Sequence, residues 1–150
     1  MHRIIILLTV AMILTGPLAA QSTEDSVKAT VNRLFEGMRN ADAALLRSAF
    51  TDSAILQTIA RNKEGQDIIH SARPDEFANF VDKQEKGVAD EQIQFETIKI
   101  DGPLAMVWTP YTFYFKGKRS HCGVNSFQLV RMNGAWKIQY LIDTRRKNCD

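Results

Sequence analysis

Long apolar runs, cysteines, prolines and an excess of charge of one sign are all scarce in this chain of 150 residues, and each scarcity removes a class of protein. The longest mainly apolar stretch, Ile4 to Leu14, has eleven residues, against roughly 18 or more for a membrane-spanning helix, so a spanning anchor is the weaker reading. Two cysteines, Cys122 and Cys149, do not make a disulfide scaffold, and a hydrophobic core must hold the fold. Four prolines and eight glycines in a chain that is 45% hydrophobic and 24% charged exclude a collagen-like or disordered protein. The net charge of +2 includes Arg3; without it eighteen basic residues face seventeen acidic ones, which offers nothing to steer nucleic acid. The three histidines, His2, His70 and His121, lie on distant segments, and no His-x-His, His-x-x-x-His or paired-Cys spacing exists. No metal and no cofactor are therefore expected.

What is there begins with Arg3, the apolar run, the helix-breaking pair Gly16-Pro17, and Leu18-Ala19-Ala20 before the polar Gln21-Ser22-Thr23. Residues 1–20 read as a secretory signal peptide cut after Ala20, and the lack of a following cysteine argues against a lipoprotein. The mature product, residues 21–150, is then one domain, periplasmic or secreted, with no membrane association after cleavage. About 130 residues suffice to bury roughly two thirds of the chain's surface.

Val27, Val31, Leu34, Phe35 and Met38 form one stripe of an amphipathic helix, capped by Thr23 or Ser22. Asp42 caps a shorter helix through Phe50, ended by a turn at Thr51-Asp52-Ser53. A strand from Ala54 to Ile59, a turn at Asn62 to Gly65, a return strand from Gln66 to Ile69 and a third helix opened by Pro74 follow. From Glu91 the period changes to two: Ile93 to Ile100, Met106 to Phe115, Arg119 to Met132 and Ala135 to Thr144 read as an antiparallel meander. Helices first and strands afterwards mean α+β, with N-terminal helices packed on one face of a curved antiparallel sheet.

A two-residue turn at Asn133-Gly134 sets Arg131 opposite Trp136, Leu129 opposite Ile138 and Phe127 opposite Tyr140. On the same face Asn125 then meets Ile142 and Gly123 meets Thr144, with His121 beyond, so the apolar face becomes polar at one end. That is the pattern of a pocket lined by apolar groups and a few polar ones. A turn at Gly117-Lys118 puts Trp108, Thr112 and Tyr114 on the His121 face, but Pro110 suggests an edge or a bulge that exchanges the faces and brings Trp108 or Tyr111 inward. Either way an aromatic group remains on the outer face, which predicts a homodimer through the convex side.

The run Val107-Trp108-Thr109-Pro110-Tyr111, with Ser120 to Phe127, Gly134-Ala135-Trp136-Lys137-Ile138 and Asp143-Thr144-Arg145-Arg146, resembles the nuclear transport factor 2-like superfamily. Within it the likeness is to the SnoaL-like and "putative lumazine-binding" branch, over about Asp25 to Arg146. The resemblance implies a cone, with helices closing over a strongly bent sheet, a cavity at the open end and frequent dimerisation through the sheet. It also implies several kinds of function, since the superfamily holds isomerases, cyclases, hydrolases and members that only bind or assemble.

His121 is either a general base or a structural histidine at the mouth of the cone. Cys122 points to the other face, which disfavours a Cys-His dyad. Asn125, polar among apolar neighbours, needs a partner: a ligand, a water or backbone. Trp108, Tyr111, Tyr140 and Thr144 complete the candidate ligand-binding set, while Trp136 reads as core. Isomerases of the superfamily use a cavity carboxylate, and none is evident: Asp143 shares the face of Leu141 and Arg145 and reads as an outer ion pair. A Cys122–Cys149 bridge requires the tail to fold back, because Cys149 lies four residues, roughly 13 Å of extended chain, beyond the paired position. The sequence thus favours a non-catalytic domain binding a small apolar or aromatic molecule. Its rivals are a proton-transfer isomerase or cyclase with His121 as base, and a dimeric assembly domain with a filled cone.

Overall fold

In the computed structural model of the protein, which describes residues 22–149, the first helix, α1 (Thr23–Asn40), starts where Ser22 accepts the Asp25 N–H at 3.0 Å. The expected signal peptide, residues 1–20, lies outside the described residues. α1 buries Val27, Val31, Leu34 and Met38, the stripe read from the spacing, and ends at Ala41, whose φ is 54°. Asp42 caps α2 (Ala43–Ser48) by accepting the Leu45 N–H at 2.8 Å. The two helices touch through Gly37, where a Cβ would stand 2.6 Å from the Leu46 nitrogen. Pro74, free of an N–H that a first turn could not use, opens α3 (Pro74–Val81).

Among the described residues seven strands make one curved sheet: β1 (Phe50–Arg61), β2 (Asp67–Ala72), β3 (Ala89–Ile93), β4 (Thr97–Asp101), β5 (Leu104–Phe115), β6 (Lys118–Met132) and β7 (Ala135–Thr144). Their order is β2-β1-β7-β6-β5-β3, with β4 also paired to β5. The α+β class is as expected. The sheet, however, is mixed, because β1 runs parallel to β7. The expected turn at Thr51-Asp52-Ser53 is part of β1, and the expected single strand from Ile93 to Ile100 is two strands that take successive lengths of β5. Pro110 sits where β5 changes partner from β4 to β3, so its missing N–H interrupts no ladder, and it faces Val124 in unbroken register with β6.

The core lies between α1 and the sheet. Phe127, Leu129 and Ile138 are fully buried against Val27, Val31 and Leu34, and the Phe35 ring meets Phe127 edge-on at 6.2 Å. Full burial of one such side chain stabilises by about 2 kcal/mol.

Two bulges decide which side chains face this core. The Asn133-Gly134 hairpin begins as expected, with Arg131 opposite Trp136 and Leu129 opposite Ile138. Gln139 is then an extra residue in β7, so Gln128 meets Tyr140, Phe127 meets Leu141 and Asn125 meets Asp143. The expected pairings of Phe127 with Tyr140, Asn125 with Ile142 and Gly123 with Thr144 are therefore displaced by one residue, which turns Tyr140 and Thr144 outward and Asp143 inward. In the β5–β6 hairpin the turn is Lys116-Gly117, both with positive φ, and Ser120 is the extra residue, so Phe113 meets His121 and Tyr111 meets Gly123. Tyr111 consequently joins the inner face, and Trp108 the outer one, where it is 40% exposed. Cys122 pairs with Arg146, and the tail folds back to bridge Cys122 to Cys149 with their Cα atoms 5.7 Å apart.

Candidate functional site

Between α1, α3 and the concave face of the sheet lies a cavity of about 280 Å³. Its walls are Leu34, Phe35 and Met38 of α1, Leu56 of β1, Phe77 of α3 and Leu141 of β7. Its polar end is built by Thr58, Glu91, Asn125, Asp143 and Arg145 from four segments that only the sheet brings together.

Asn125, 3% exposed, donates through Nδ2 to Glu91 Oε1 at 2.8 Å. Its partner is thus a carboxylate on β3, where ligand, water or backbone was expected. Burial raises the Glu91 carboxyl to about 7; the Asn125 hydrogen bond opposes the rise, nearby Asp143 adds to it and Arg145 opposes it. Glu91 therefore exchanges its proton near neutral pH. Like Thr58 and Arg145 it was missed by the sequence reading, although for Glu91 a signal was there: it is in phase with Ile93 and Phe95, which are partly buried against the core.

Asp143 accepts from Thr58 Oγ1 at 2.6 Å, Tyr111 OH at 3.0 Å and Arg145 Nε at 3.2 Å. The expected ion pair with Arg145 exists, but on the concave face, because the Gln139 bulge has reversed the parity of Asp143. Tyr111 also donates to the Thr144 carbonyl at 2.9 Å, and burial first, then the Asp143 and Glu91 charges, pushes its phenol well above the usual range. It serves as a donor, not as a base. Its ring lies over Gly123, where a Cβ would collide with the Thr144 carbonyl and stand 2.8 Å from the ring.

Of the residues singled out from the sequence, Asn125 lines this cavity and Tyr111 supports Asp143 from behind it. His121 is inward-facing but lies across Tyr111, ring to ring at 5.8 Å, in a separate open depression with Ser120, Arg146 and Lys147. Burial first, then Arg145, lowers its pKa against an opposing pull from Asp143, which keeps the imidazole neutral at neutral pH. Thr144 lines that depression, its hydroxyl accepting from the Val124 N–H at 3.2 Å. Tyr140, on the convex face, donates to Gln57 Oε1 at 2.6 Å, and Trp108 shares that face. Thr109, opposite Asn125 in the β5–β6 ladder, carries a buried hydroxyl without a hydrogen-bond partner among the described residues. Among the described residues no group of three or more His, Cys, Asp or Glu side chains is placed to hold a metal ion.

Residues 22–139 match the family model described as "Putative lumazine-binding". No curated protein matches the chain. Among solved structures it is similar to a nuclear transport factor 2-like protein of unknown function from Shewanella baltica OS155, at 14% identity and a TM-score of 0.64, covering 83% of this chain and 94% of that one. A second such protein, from Silicibacter pomeroyi DSS-3, is 17% identical with a TM-score of 0.62 over 81% and 93%. A protein with a cystatin-like fold from Nostoc punctiforme PCC 73102 is 13% identical with a TM-score of 0.65 over 85% and 95%. Identities this low bear on the fold alone.

Proposed function

We propose, from the premise that the chain belongs to the "Putative lumazine-binding" family of the nuclear transport factor 2-like superfamily, that it is an exported domain holding one small, largely apolar or aromatic molecule in its cone. The observation that carries this is the cavity of about 280 Å³ with apolar walls and a convergent polar end. Leu34, Phe35, Phe77 and Leu141 enclose the body of the ligand, and Asn125, Glu91 and Asp143 meet its polar edge. An open cavity of this kind weighs against the assembly domain with a filled cone. The reading includes a periplasmic or secreted location after removal of residues 1–20. It also includes a homodimer through the convex face, supported by the exposed side chains of Ile55, Leu104 and Trp108 there.

A second reading, proton transfer on the bound molecule, is favoured by Glu91. A carboxyl held near neutrality inside a cavity suits a general base, and the orienting hydrogen bond from Asn125 fixes its direction. In this reading Glu91 takes the role that the sequence gave to His121, which lines a separate depression and not this cavity.

Native mass spectrometry of the purified mature protein, together with fluorescence titration by lumazine, tests both readings. A small-molecule mass that leaves on denaturation, or saturable lumazine binding that Asn125→Leu weakens about tenfold, supports binding. Deuterium appearing on carbon of the retained molecule in D2O, and absent in Glu91→Gln, selects proton transfer. The absence of both a retained mass and lumazine binding would sink the proposal.

A further inference from the structure

The polar end of the cavity is richer in acids than in bases. Asp143 is withdrawn from water, Glu91 is half-buried, and Glu76 stands at the mouth on α3, exposed. Against them the lining holds one guanidinium, that of Arg145, and the exposed imidazole of His70 on β2. Arg145 is already committed, with Nε to Asp143 and Nη2 to Thr58 Oγ1 at 3.2 Å. α1 contributes only Leu34, Phe35 and Met38, and β5 contributes behind the cavity the neutral phenol of Tyr111. Glu91 thus faces a neutral amide at 2.8 Å and, among the described residues, forms no ion pair. A half-buried carboxylate held by one neutral amide and no close counter-charge is partly desolvated, and a cation arriving with a ligand would offset that cost.

The geometry points to a cationic ligand: a protonated amine or amidine on an apolar body, with the cation seated against Glu91 and the body along Leu34, Phe77 and Leu141. This rests on the binding reading above and specifies the chemistry of that ligand. An ammonium supplies the counter-charge that Arg145 cannot spare, while a carboxylate or phosphate would add a third negative charge beside Glu91 and Asp143. A further consequence is proton release. Below about pH 7 Glu91 holds a proton that an arriving cation displaces, so affinity for the cation rises with pH up to that point and then levels.

Three probes of one shape separate the possibilities: 2-naphthylmethylamine, 2-naphthylmethanol and 2-naphthoate, titrated calorimetrically into the full mature protein at pH 6 and pH 8. The amine is expected to bind about tenfold tighter than the alcohol at pH 8, with the ratio shrinking at pH 6 as proton uptake by buffer appears. Glu91→Gln is expected to bring the affinities of amine and alcohol together. Equal binding of amine and alcohol to the unaltered protein, or tighter binding of naphthoate, overturns the cation inference and leaves the binding reading standing. Binding of none of the three overturns both. The comparison within the unaltered protein decides the matter even if the variant fails to fold.

Discussion

Glu91 keeps its proton in the folded protein over a pH range in which an unfolded glutamate has lost it, and that difference is a stability term. With the carboxyl raised to about 7 from an ordinary 4.5, the native state binds more protons than the unfolded state between those values. Stability contributed by this group is therefore full below about pH 4.5 and falls as pH rises to about 7, by about 3 kcal/mol in all. Glu91→Gln keeps the acceptor for Asn125 and removes the titration. Urea unfolding is expected to show the variant equal to the parent protein at pH 5 and more stable at pH 8. A difference that is the same at both pH values would exclude Glu91 as the group responsible. The same residue shows how much of the site was legible beforehand. Asn125 was found because an amide in an apolar stripe demands a partner, whereas Glu91 went unseen because an acid at the edge of a charged segment reads as solvated until the fold closes over it.

The β7 strand carries the decisive irregularity. Gln139 is the residue by which β7 outruns β6, and every side chain after it changes face. Its own side chain accepts from Thr51 Oγ1 at 2.8 Å, a modest contact. Deleting Gln139 is expected to turn Leu141 and Asp143 outward and abolish cooperative thermal unfolding, while Gln139→Ala, which preserves the residue count, is expected to cost about 1 kcal/mol. If the deletion unfolds like the parent protein, the bulge does not set the face of Asp143. Turn chemistry announced both hairpins, through Gly117 and Asn133-Gly134, but no residue type marks Gln139 or Ser120 as a bulge. The choice left open between Trp108 and Tyr111, and the misread face of Tyr140 and Thr144 with Asp143, follow from that silence.

Across the whole molecule the chain closes on itself through its last residues. The Cys122–Cys149 bridge spans 27 positions and holds the tail so that the Cys122 N–H reaches the Arg146 carbonyl at 2.9 Å. It thereby keeps Arg145 beside Asp143, at the end of the cavity. A loop of that length constrains the unfolded chain by about 3.5 kcal/mol. Replacing both cysteines by serine is expected to lower the unfolding free energy by that amount and to weaken whatever ligand the cavity holds. An unchanged denaturation midpoint, with and without reductant, would show that the tail contributes nothing.

Local rules read from the chain were enough to narrow the α1 cap to Thr23 or Ser22 and for the cap at Asp42, the apolar stripe of α1, the proline that opens α3, the two hairpins and the α+β class, because each depends on neighbours within a few residues. Composition bounded the rest, from the missing metal spacing to the size of the core. The parallel meeting of β1 with β7, the inward turn of Asp143, the pairing of Asn125 with Glu91 and the isolation of His121 behind Tyr111 depend on register between strands far apart in the chain. A single extra residue in a strand reverses every later face at little local cost, so those features are settled by which arrangement buries Phe127, Leu129 and Leu141 together, a condition that no stretch of sequence states alone.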